Sequence, residues 1–116
     1  MERISIIIPT LNEAGNISEL LERIGRSMSG HARGDYEIIV VDDGSTDGST
    51  DAIRKLGAND ARVRPVIFAR NFGHQIAVSA GIDYSRGDAV VIIDADLQDP
   101  PEVIHDLIEK WREDYE

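Results

Sequence analysis

Asp94-Ala95-Asp96 closes the apolar run Ala89-Val90-Val91-Ile92-Ile93 and leads at once into Leu97-Gln98-Asp99-Pro100-Pro101. Two carboxylates one residue apart at the mouth of a buried strand suit a divalent cation and a phosphate. Hard ions such as Mg²⁺ and Mn²⁺ take oxygen ligands, commonly one or two carboxylates completed by the phosphates of a substrate. A nucleoside diphosphate is such a substrate. A second acidic pair, Asp42-Asp43, closes another apolar run, Ile38-Ile39-Val40-Val41. Asp is common at strand ends because it bonds nearby backbone, which explains one such pair more easily than two. Open α/β sheets bind ligands beyond the carboxyl ends of their strands, so both pairs are expected to face one cleft.

Three further stretches have residue types suited to that cleft. Pro9-Thr10-Leu11-Asn12-Glu13 turns out of the first apolar run, where backbone groups can hold a base and Glu13 can bond a ribose or a base edge. A helix cap by Thr10 or Asn12 accounts for it equally well. Asp42-Asp43-Gly44-Ser45-Thr46-Asp47-Gly48-Ser49 has glycines for a tight turn, and a carboxylate there can accept from the N–H of uracil or guanine. A well-made turn explains the glycines and serine but not two adjacent acids. Arg70-Asn71-Phe72-Gly73-His74-Gln75 opens another helix; Arg70 can pair with phosphate, although a lone Arg is more often a surface group. His74 reads first as a helix-start residue, because no nucleophile or carboxylate is paired with it in sequence.

The elements that must position these residues are legible from periodicity. Ile4 to Ile8, Tyr36 to Val41, Val63 to Phe68 and Ala89 to Ile93 read as strands covered on both faces. Helices are expected over Ala14 to Met28, with Ile17, Leu20, Leu21, Ile24 and Met28 in one stripe, and over Ser49 to Leu56, capped by Asp47 or Ser49. A third is expected over His74 to Tyr84, with Ile76, Ala77, Ala80 and Tyr84 on one side, and a fourth from Pro101 to Trp111. Alternating strands and helices imply right-handed crossovers, hence an α/β fold with a Rossmann-like parallel sheet and flanking helices.

Composition narrows the function classes. The 116 residues suffice for one domain, and a net charge of −10 argues against a nucleic-acid-binding surface. There is no cysteine, so disulfides are excluded and a cytoplasmic, reducing setting is expected. No apolar stretch approaches the length of a membrane span. The last helix stops at Trp111-Arg112-Glu113-Asp114-Tyr115-Glu116, with no capping glycine and no strand after it. The chain is therefore expected to be cut from a longer one, and the uncovered flank of the fourth strand to pair between chains as a homodimer.

In company, PTLNE, DDGSTDGS, RNFGHQ and DADLQDPPE closely resemble glycosyltransferase family 2, and within it the polyprenyl-phosphate sugar transferases. The resemblance covers the chain from Ile4 onward. It implies the N-terminal, nucleotide-sugar-binding half of a GT-A domain over residues 1–116, with Pro9, Leu11 and Glu13 lining the base and ribose site. It further implies Asp43 on the base with Val41 beside it, Asp42 organising the turn, and Arg70 bordering the nucleotide. Asp94 and Ala95 would meet the ribose and diphosphate. Asp96 and Gln98, with Asp94 nearby, would hold Mg²⁺ or Mn²⁺, and Asp96 would be the principal catalytic residue through that metal. The implied reaction is inverting transfer of a sugar from a UDP- or GDP-linked donor to dolichyl or undecaprenyl phosphate at the cytosolic face of a membrane. Two rivals stand beside it. One is an autonomous half-domain without transferase activity; the other is a receiver-like module taking a phosphoryl group with Mg²⁺, which wants its acidic pair after the first strand.

Overall fold

The computed structural model describes residues 3–29 and 35–96, together with Asp106 and Lys110. Its elements alternate as β1 (Arg3–Thr10), α1 (Ile17–Ser29), β2 (Asp35–Asp42), α2 (Ser49–Asn59), β3 (Val63–Ile67), α3 (His74–Tyr84) and β4 (Ala89–Ile92). The strands form one sheet in the order β3-β2-β1-β4, and every pairing is parallel. The expected α/β sheet with flanking helices is therefore present. Gln98 and most of the helix expected from Pro101 to Trp111 lie outside the described residues; Asp106 and Lys110 are helical.

Alternation along the strands divides the core in two. Ile4, Ile6, Ile8, Tyr36, Ile38 and Val40 pack with Ile17, Leu20, Leu21, Ile24 and Met28 of α1 and with Ile53 of α2. On the opposite face Ile7, Ile39 and Val41 pack with Ala77 of α3. Each fully buried isoleucine stabilises the fold by roughly 1.5–3 kcal/mol, and Ile4, Ile6, Ile7, Ile8, Ile17, Ile24, Ile39 and Ile53 are all inaccessible to solvent.

α3 departs from the expected stripe. Ile76 and Tyr84 are 51% and 53% exposed, and the buried positions are Ala77 and Gly81. The reason is close approach: a Cβ on Gly81 would stand 2.4 Å from Ile7 Cγ2. Small residues four apart let the helix lie flat on the sheet, whereas the larger side chains would hold it off. α1 also begins three residues later than its apolar pattern suggests, because residues 14–16 form a turn in which Asn16 and Ile17 donate to the Glu13 carbonyl.

A buried charge ties the sheet to the far end of α3. Glu37, 1% exposed, accepts from the Ser5 hydroxyl at 2.6 Å, the Arg86 N–H at 2.7 Å and the Arg64 guanidinium at 2.5 Å. Burial opposes its ionisation, but these donors and the Arg64 charge outweigh it and hold the carboxyl below its ordinary range. Arg64 also donates to the Tyr84 carbonyl, and the Ser5 hydroxyl accepts from the Gly87 N–H. Thus the α3–β4 turn, and through it the start of β4, is fixed relative to β1.

Candidate donor-binding cleft

Strand order decides where a ligand can sit. The chain moves from β1 outward through β2 to β3, then crosses back to place β4 on the other side of β1. The chain thus leaves β1 toward β2 on one side while β4 lies on the other, a switch in strand order that opens a crevice at the carboxyl ends of β1 and β4. β4 pairs only with Ile4 to Ile7, while β1 continues to Thr10. Ile7 accepts from the Ile93 N–H, so by alternation Pro9 faces the same side, past the end of β4. Its missing N–H interrupts no ladder there.

Two adjoining cavities occupy this crevice. The inner one, about 320 Å³, is lined by Pro9, Thr10, Leu11, Asp43, Asn71, Gly73, His74 and Ala77. The outer one, about 270 Å³, is lined by Pro9, Leu11, Glu13, His74, Asp94, Ala95 and Asp96. Pro9, Leu11 and His74 belong to both. Of the residues singled out from sequence, Pro9, Leu11, Glu13, Asp43, Asp94, Ala95 and Asp96 are thus brought to one cleft. Val41 is fully buried beneath it in the α3-side core. Arg70 stands outside both cavities, exposed, with its guanidinium 4.5 Å from the Phe72 ring centroid.

The acids at the end of β2 have different jobs. Asp42 accepts from the Ser45 N–H at 2.9 Å and from the Thr50 hydroxyl, closing the turn into α2. Asp43 accepts from the Phe72 N–H at 2.7 Å and the Gly73 N–H at 3.1 Å, fastening the loop ahead of α3. The two loops touch at Gly44, where φ is +78° and a Cβ would fall 2.4 Å from Arg70 C and Asn71 N. Only glycine satisfies both conditions.

The run Ser45-Thr46-Asp47-Gly48-Ser49 does something that sequence did not reveal. It clasps the first loop. Asn12 N–H donates to Ser45 Oγ at 3.0 Å, Glu13 N–H to Ser49 Oγ at 3.0 Å and Ala14 N–H to Asp47 Oδ2 at 3.2 Å. In return Thr46 N–H donates to Asn12 Oδ1 at 2.7 Å. Asn12 itself takes φ +55°, a left-handed conformation that asparagine tolerates better than most residues. α2 starts at Gly48 with no side-chain cap; Asp47 instead accepts from the Ser49 hydroxyl and N–H. The hydroxyl bond foremost, with the N–H bonds of Ser49 and Ala14, holds Asp47 below its ordinary carboxylate range. A dense run of short polar side chains was the available signal. Its partner, 33 to 36 positions earlier, was not.

Asp94 and Asp96 are both exposed at the outer cavity, with Ala95 buried between them. Among the described residues no group of three or more His, Asp or Glu side chains is gathered for a metal. Two carboxylates opening into one cavity nonetheless form the oxygen donor set that a hard cation takes, leaving positions for phosphate oxygens.

Residues 5–116 match the sequence profile of Glycosyl transferase family 2. The chain belongs to this family. It is 49% identical over 112 residues to the uncharacterised glycosyltransferase YkcC of Bacillus subtilis, covering 97% of this chain and 34% of that protein. It is 41% identical over 117 residues to the undecaprenyl-phosphate 4-deoxy-4-formamido-L-arabinose transferase of Shewanella sediminis, covering 97% and 34%. Among solved structures, the mannosyltransferase PcManGT of Pyrobaculum calidifontis, in complex with GDP-Man and Mn²⁺, superimposes with a TM-score of 0.72. The alignment has 32% identity over 82% of this chain and 28% of that one. The fold is that of the N-terminal part of GT-A glycosyltransferases. The chain spans about a third of the length of the curated relatives it matches.

Proposed function

We propose that the cleft binds the donor in a transferase that moves a sugar from a UDP- or GDP-linked nucleoside diphosphate to a polyprenyl phosphate, dolichyl or undecaprenyl, with inversion. The observation that carries it is the convergence of Pro9, Leu11, Glu13, Asp43, Asp94 and Asp96 on one crevice in a chain of this family. The Shewanella relative's name supports the lipid phosphate, and PcManGT's complex supports the nucleotide sugar.

Each residue has a part in this scheme. Pro9 and Leu11 offer apolar surface to the base, and Asp43, held by the Phe72 and Gly73 N–H groups, keeps lone pairs for a base N–H. Glu13 uses Oε2 to accept from Asn16 at 2.8 Å, which fixes its rotamer and leaves Oε1 for a ribose hydroxyl. Ala95 lets the ribose and diphosphate pass close to the backbone. Asp94, Asp96 and Gln98 would hold Mg²⁺ or Mn²⁺, with Asp96 the principal catalytic ligand; the chemistry such an ion supplies is charge neutralisation of the departing diphosphate. A phosphate acceptor is already an anionic nucleophile, so these residues need supply no general base. Among the described residues no helix is long and apolar enough to cross a membrane. A lipid-linked acceptor would put the reaction at a membrane, and a cytosolic nucleotide sugar would put it on the cytosolic face.

Asp96→Ala tests this reading. Calorimetry with UDP or GDP plus Mn²⁺ is expected to give at least tenfold weaker binding than the parent, because one of two carboxylate ligands is lost. Equal affinities would sink the metal assignment. Coverage of only a third of the relatives' length favours a second reading, a donor-side half-domain without transferase activity by itself. Nucleotide binding without turnover supports that alternative.

The same scheme includes self-association. α3 packs mainly on β1 and β2, and Val90 and Ile92 are 40% and 46% exposed on β4, the edge strand among the described residues. Edge pairing there gives a homodimer. The net charge of −10 opposes it only over the Debye length of about 10 Å at 0.1 M salt. Light scattering is expected to show dimer at physiological salt, and a strict monomer from micromolar to millimolar protein would exclude it.

A further inference from the structure

The two cavities have an unbalanced lining. Glu13, Asp43, Asp94 and Asp96 contribute four carboxylates, and among the described residues no Lys or Arg lines either cavity. A diphosphate entering such a cleft faces these carboxylates. A divalent cation held by Asp94 and Asp96 offsets part of their charge at the outer end only. Arg70, the cation nearest in sequence, is turned onto Phe72.

Among the described residues Thr10 and Asn71 offer neutral donors to the inner cavity alone, whereas His74 stands where the cavities meet. It is the first residue of α3 and lines both. Its side chain is 64% exposed, and its Nε2 lies 3.9 Å from Asp94 Oδ1. That separation exceeds hydrogen-bond reach. Among the described residues the imidazole makes no other polar contact, so its N–H is unspent. In either protonation state the ring carries at least one N–H.

We propose that His74 is a donor-binding residue that hydrogen-bonds the diphosphate at the junction of the inner and outer cavities. This rests on the donor-binding reading above. The base occupies the inner cavity beside Asp43, the sugar lies toward Asp96, and the linking phosphates pass His74. A solvated helix-start histidine without ligand contact is the competing outcome.

Four probes separate these cases: UDP, GDP, uridine and guanosine, titrated by NMR at fixed Mg²⁺ into the 116-residue protein and into two variants. His74→Ala is expected to weaken UDP and GDP about tenfold, the usual effect of losing a hydrogen bond to a charged group, while leaving the nucleosides unchanged. His74→Gln, which places a neutral N–H near the Nε2 position, is expected to recover part of that loss. The side chain is exposed, so both variants are expected to fold as the parent does. Unchanged diphosphate affinity in His74→Ala, an equal loss for nucleosides, or a His74→Gln variant no better than His74→Ala would each overturn the assignment. A folded parent that binds neither UDP nor GDP overturns the donor-binding reading itself, which is a different result.

Discussion

Gly44→Ala is expected to cost about 3–5 kcal/mol of stability and to weaken nucleotide binding tenfold or more, whereas Gly48→Ala costs only about 1–2 kcal/mol. Both glycines have positive φ, +78° and +95°. Left-handed backbone alone charges a side chain with Cβ the smaller sum at either site. What separates them is space. Nothing lies within 4 Å of a Cβ on Gly48, but a Cβ on Gly44 meets Arg70 C and Asn71 N at 2.4 Å. Backbone atoms cannot rotate aside as a flexible side chain can, so the 70–73 loop must move. That loop carries Asn71 and Gly73 into the inner cavity and is fastened by Asp43, so the displacement reaches the binding site directly. Urea melts of both variants, with nucleotide titration, measure the difference. Equal destabilisation of the two would show that the loops yield freely.

Sequence made the sheet legible because β1 and β2 hold the near-continuous Ile and Val runs of central parallel strands buried on both faces, while β3 and β4 beside them are apolar but only partly covered, with Val90 and Ile92 exposed. The cleft was legible for a related reason. Acids placed at the ends of such runs have nowhere to point but the carboxyl edge of the sheet, and Asp43, Asp94 and Asp96 arrive there together. The contact face of α3 was legible only in part. Hydrophobicity singled out Ile76, Ala77, Ala80 and Tyr84; Ala77 does meet the sheet, but with Gly81 rather than Ile76 or Tyr84, because packing distance rather than apolar area governs that contact. The place of His74 at the junction of the cavities was not legible. Its neighbours there come from β1 and from the end of β4, and no local pattern encodes a meeting of such distant segments. Arg70 illustrates the converse: its charge suits phosphate, yet an aromatic ring two residues away captures its guanidinium.

Asp43→Asn is expected to be far more damaging than Asp42→Asn, although the two acids are adjacent, both buried and each accepts two hydrogen bonds. The partners decide the outcome. Asp42 accepts from one backbone N–H and one hydroxyl, that of Thr50. An asparagine there keeps its carbonyl on the Ser45 N–H and turns its amide toward Thr50, whose hydroxyl can rotate and accept instead. The expected cost is about 1 kcal/mol, the worth of exchanging a charge-assisted bond for a neutral one. Asp43 faces two backbone N–H groups, Phe72 and Gly73, and neither can reverse its role. Asparagine can satisfy one of them; its NH₂ then confronts the other, leaving two donors face to face in a buried site. That costs about 2–4 kcal/mol. It also frees the loop that lines the inner cavity and removes the anionic acceptor proposed for the base, so nucleotide affinity falls with stability. Denaturant midpoints and UDP or GDP titrations of the two variants test the contrast. Should Asp42→Asn prove the more damaging to binding while both proteins stay folded, the roles assigned to these neighbours would have to be exchanged.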